Sequence, residues 1–141
     1  MQVFRDLAAL LGRLGIGLVF LVHGLDKWQA GVGATADGFE QSGVPLAYLA
    51  ALFVIGVEII GSIAFMLGFA LPLVGIGYAV TGLGAVFLVH WDAGLTGQGG
   101  YELVLVLALA GLALGFNGGR YALDHLVFAG RRTNEREPVA A

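Results

Sequence analysis

At 141 residues, 58% hydrophobic and only 12% charged, the chain carries about half the charge a soluble domain needs to cover its surface, where roughly 25% is usual. Its mean hydropathy of +0.88 places it among integral membrane proteins, in one domain. The net charge of −3 says little, because most charge sits at the loops and ends, but seven basic residues argue against a nucleic-acid partner. The absence of cysteine excludes disulfides, thiolate metal sites, an iron–sulfur cluster on this chain and CxxC thiol chemistry.

In chain order, Met1 to Asp6 is a short polar lead with Arg5. The first predicted helix covers about residues 7–29, close to the 30 Å or so of a bilayer's hydrocarbon at 1.5 Å per residue. Arg13 comes early on it, and His23, Asp26 and Lys27 come late. On a helical wheel Arg13, Gly17, Phe20, Gly24 and Lys27 fall within about 80° of one another. An arginine on such a segment costs roughly 2.5–3.5 kcal/mol near the centre, so this face must turn inward. The triplet Ala34-Thr35-Ala36 resembles a cleavage site, but the polar run HGLDKWQ separates it too far from the apolar core for a signal peptide.

Residues 30–45 are Gly-rich and too polar to span. Their centre suits one or two interfacial helical turns with Phe39 toward the lipid. From Leu46 to Val89 the only formal charge is Glu58. A glycine and a proline, Gly68 and Pro72, divide this stretch into helices of about 46–67 and 72–90. The turn-rich WDAGLTGQGG precedes a fourth helix of about 101–116, which Asn117-Gly118-Gly119 stops. Gly111 and Gly115 on it form a small-xxx-small pair, suited to a close helix crossing, including one to another subunit. A short amphipathic helix of about 120–128 lies in the interface, and 131–141 reads as a polar, disordered tail. The expected domain, residues 1–130, is therefore an all-α four-helix transmembrane bundle. Six basic residues, Arg5, Arg13, Arg120, Arg131, Arg132 and Arg136, stand against Lys27 alone, which puts both termini in the cytoplasm.

Alternating directions gather the outer ends of helices 1, 3 and 4. His23, Asp26, Lys27, His90, Trp91, Tyr101 and Glu102 then share one membrane surface. His23, Glu102 and Lys27 are the candidates for proton transfer; His23, Asp26, His90, Trp91, Tyr101 and Glu102 are the candidates for holding a ligand. The bland reading is a ring of snorkelling helix ends and an aromatic belt. Deeper in the bundle, Arg13 and Glu58 lie at depths of about 9 and 14 Å from the cytoplasmic side, which predicts a buried ion pair. Its structural alternative is a pair that only fixes helix 1 against helix 2. His23 and His90 also invite a haem reading. Both sit near helix ends, and the third histidine, His125, lies past helix 4, so haem is disfavoured and no metal site is assigned.

With these residues in place the chain resembles the DoxX family of small four-helix membrane proteins. The similarity rests on LLGRLGIGLVFLVHGLDKW, on Gly43-Val44-Pro45, on Val57-Glu58, on Gly100-Tyr101-Glu102 and on Gly119-Arg120-Tyr121-Ala122-Leu123-Asp124. It departs at the 2–3 turn, where relatives often carry a basic residue. The resemblance implies a multi-pass protein of a bacterial or archaeal plasma membrane, linked to quinone oxidoreductases and to complexes handling thiol and oxidative stress. The expected function is a membrane subunit of a quinone-linked oxidoreductase, with partner redox subunits or copies of itself. The alternatives are a non-enzymatic anchor for a redox partner and a small transporter.

Overall fold

The computed structural model describes residues 1–127; the tail expected at 131–141 and the last residue of the interfacial helix lie outside them. Among the described residues every regular element is helical. Helix α1 is Gln2–Ala30, α2 is Val32–Gln41, α3 is Ala47–Leu67, α4 is Leu71–Ala93 and α5 is Glu102–Phe116. Three of them, α1, α3 and α4, are long and apolar enough to cross a membrane. With 15 residues, α5 measures only about 22 Å.

The inward face of α1 is the one its sequence pattern selects: Asp6, Ala9, Arg13, Gly17, Phe20 and Gly24 are its buried residues. Two glycines on that face set the register of α3. A Cβ on Gly17 would meet Met66, and one on Gly24 would lie 2.7 Å from the Cβ of Glu58. The helices therefore run antiparallel, with Glu58 opposite the C-terminal third of α1. The short helix α2 is longer than the one or two turns expected, and its Phe39 lines an internal cavity rather than facing lipid.

Helix α4 is the central element. Tyr78 is fully buried, stacked on Phe20 at 3.9 Å and edge-on to Phe65. Its hydroxyl shares a 2.8 Å hydrogen bond with the buried Ser62 Oγ, which satisfies two groups that lipid or packed side chains could not. Gly111 and Gly115 make their close crossing within the chain, on α4. A Cβ on Gly115 would stand 3.0 Å from Gly75 Cα, and one on Gly111 would strike the Tyr78 ring. Small residues let the two backbones approach, as membrane helices require.

After α5 the chain turns and folds under the same end of the bundle as the N-terminus. The backbone N–H of Arg120 donates to Asp6 Oδ1 at 3.0 Å. Asp124 caps α4: both its carboxylate oxygens accept from the first backbone N–H groups, Ala70 and Leu71, at 2.8 Å each. Those donors have no partner within their own helix, and a carboxylate also suits the positive end of the helix dipole. Gly68 (φ 79) turns the chain between α3 and α4; any Cβ there would overlap the Arg13 guanidinium and Ala122.

Candidate functional site

A cavity of about 440 Å³ lies between α1, α2, α3, α4 and α5. Its walls are mostly apolar: Phe20, Phe39, Phe53, Val54, Val80, Leu88 and Leu107 are among them. Four residues supply its chemistry, namely His23, Lys27, Glu58 and His90. The size falls within the roughly 300–1,000 Å³ of small-molecule sites, and a mainly apolar lining with a few convergent polar groups is their usual character.

Glu58 is buried, and its two carboxylate oxygens accept from Lys27 Nζ at 3.0 and 2.8 Å. This corrects the expected Arg13–Glu58 pair. That expectation set the Leu7 end of the first helix level with the Leu67 end of the second, whereas α1 runs on from Gln2 past the end of α3 and the glycine notches bring Arg13 level with Gly68. Arg13 lies beside Gly68, ten residues on from Glu58 along α3, or about 15 Å by helical rise. It is fully buried, and its Nη2 donates to the Tyr121 carbonyl at 3.1 Å. Its Nε and Nη1 have no hydrogen-bond partner among the described residues. Arg13 thus holds the segment after α5 rather than the acid of α3.

The rest of the expected cluster divides. His23 is exposed at the rim of the cavity, one helical turn from Lys27. His90 Nδ1 lies 3.0 Å from the Gly99 carbonyl. A carbonyl can only accept, so Nδ1 carries the proton and Nε2 of the neutral ring is left as an acceptor. Trp91 and Tyr101 stack on one another at 5.7 Å, and Phe87 packs against Trp91. They form an aromatic layer at the helix ends and do not line the cavity. Asp26 and Glu102 are exposed and also stand off it.

Both acid and histidine sit on irregular helix. Glu58 lies in a π-helical stretch, Val57–Gly61, and His90 ends another, Val86–His90. Such wide turns re-aim side chains and occur often at functional sites. Sequence reasoning missed Phe39, Phe53 and Val54 as cavity walls, because lipid-facing and ligand-facing apolar residues look alike. It also left Tyr78 and Asp124 without roles, although Asp124 closes one of the quoted motifs.

Three apolar spans, with charge confined to inward positions and helix ends, define a multi-pass membrane protein. The chain belongs to the DoxX family, whose model matches residues 8–91. It is 35% identical over 130 residues to the protein named "Putative oxidoreductase CatD" of Bacillus subtilis (strain 168), a match covering 90% of this chain and 92% of that protein. No solved structure matches.

Proposed function

We propose that this chain is the membrane subunit of a quinone-linked oxidoreductase in a bacterial or archaeal plasma membrane, and that a quinone head group binds in the cavity. The observation that carries the reading is the Lys27–Glu58 pair on the wall of an otherwise apolar chamber. An ion pair among lipid-facing helices is costly unless it has work to do or specifies packing. Similarity to a protein named as an oxidoreductase supports redox chemistry.

The chemistry fits the groups present. Reducing a quinone to a quinol takes two electrons and two protons. With no cysteine in the chain, the electrons come from a partner redox subunit. Lys27 donates a hydrogen bond to one ring oxygen; His90 Nε2 accepts from the hydroxyl formed at the other. His23 at the rim can pass protons between the cavity and water. Topologically, α5 serves as a fourth, short span, and both termini lie in the cytoplasm. The meeting of Asp6 with Arg120 at one end of the bundle supports an even number of spans, and the basic residues favour the cytoplasm for that end.

The test is binding of a soluble quinone to the purified protein, followed by calorimetry. Lys27→Gln is expected to weaken it about tenfold, the worth of one hydrogen bond to a charged or buried partner, and His23→Ala to slow quinone-dependent turnover in the intact complex. Glu102→Gln and Asp37→Asn are expected to match wild type. Equal binding by all four variants, each folded, removes the cavity as the site.

A further inference from the structure

Helices α3 and α4 meet at one end and part at the other. The Gly68 turn joins them, and they touch where a Cβ on Gly61 would stand 3.4 Å from Val74 and one on Gly77 3.2 Å from Val57. Beyond these contacts the cavity lies between them. Several of its wall residues also face outward: Phe53 of α3 is 50% exposed, and Val80 and Leu88 of α4 are 55% and 44% exposed. Val80, Gly84 and Leu88 follow one another at intervals of four, so they form a single stripe along α4. Gly84 lines the cavity, and nothing lies within 4 Å of the position its Cβ would take. A residue that is both cavity wall and outer surface of a membrane-spanning helix marks an opening, and on these helices the opening faces lipid.

We propose that this gap is a lateral doorway, and that the occupant of the cavity is a lipid-soluble molecule whose polar head lies at Lys27–Glu58 and whose apolar tail leaves between Phe53 and the Val80–Gly84–Leu88 stripe. The proposal rests on the quinone reading and adds the class of quinone and the path of its tail. The chamber has two ends of opposite character. Its charged and imidazole groups come from α1, α3 and the last turn of α4, while Thr81, also on its wall, spends its hydroxyl on the carbonyls of Gly77 and Tyr78. The doorway carries only apolar side chains and one glycine. A two-ended chamber suits a two-ended molecule, whereas a tailless aromatic would leave the doorway unfilled. Gly84 is the notch through which a chain of methylenes passes, since any side chain there narrows the gap.

The experiment compares a decyl-tailed quinone with the same head group lacking the tail, on the wild type, Gly84→Leu and Gly15→Leu. Gly84 and Gly15 both have helical backbone and open space at the Cβ position, so both variants are expected to fold. Wild type and Gly15→Leu should prefer the tailed quinone by about tenfold, the worth of a few buried methylenes. Gly84→Leu should lose that preference while binding the tailless head group within about twofold of wild type. An equal tail preference in Gly84→Leu and wild type overturns the doorway and leaves the quinone site standing. Binding of neither quinone by wild type overturns the quinone reading instead. The doorway is then judged by organic extraction of the purified proteins: it requires a lipid-soluble species that wild type retains and Gly84→Leu lacks, and it falls if the extracts are the same.

Discussion

Replacing Lys27 by methionine tests the ion pair directly. The change keeps the apolar stem and removes the ammonium, so Glu58 stays in place with neither of its two bonds from Nζ. Stranding one member of a buried pair costs about 3–5 kcal/mol. The side chains here are 27% and 7% exposed, so the acid is well buried and the amine partly screened; the lower end, about 3 kcal/mol, is expected. At roughly 2–4 °C per kcal/mol for a chain of this size, thermal unfolding in mild detergent should begin about 6–12 °C lower. Glu58→Met alone should destabilise too, because it leaves an ammonium facing an apolar wall. The double variant removes both charges and should recover most of the loss, since apolar replacement of a whole buried pair is often neutral or stabilising. A coupling energy of about 1.5–3 kcal/mol closes the cycle. The corresponding cycle for Arg13 and Glu58 should show almost none. Additive losses for Lys27 and Glu58, or a Lys27→Met variant as stable as wild type, would refute the reasoning.

Two further outcomes follow from the fold. Asp124→Ala uncaps α4 at both Ala70 and Leu71, and about 1–2 kcal/mol of stability should be lost, read as a lower unfolding temperature; Asp124→Asn, which keeps one acceptor oxygen, should lose less. In right-side-out cells, cysteines placed singly at Gln98 and Asn134 of this cysteine-free chain should react with an impermeant maleimide from opposite sides of the membrane. Labelling from one side would sink the four-span topology.

Much was legible in the sequence because membrane helices obey a simple rule. Every backbone polar group must be satisfied within the segment, so long apolar runs become helices, and glycine and proline mark their ends. The inward face of α1 could be read as well, since an arginine and two glycines on one stripe have nowhere else to go. The DoxX resemblance could be read from short motifs in order. What sequence left open was register. Two antiparallel helices can slide by a turn without changing which faces are apolar, so depth counted from their ends misplaced Glu58. The notches at Gly17 and Gly24 settled it, because only one alignment lets Met66 and Glu58 occupy them. That alignment gave the acid to Lys27 and left Arg13 to the Tyr121 carbonyl. The cavity belongs wholly to tertiary structure. It exists because α3 and α4 are pinned at Gly68 and separate beyond Gly77, and no local pattern of apolar residues distinguishes a wall that faces such a space from one that faces lipid.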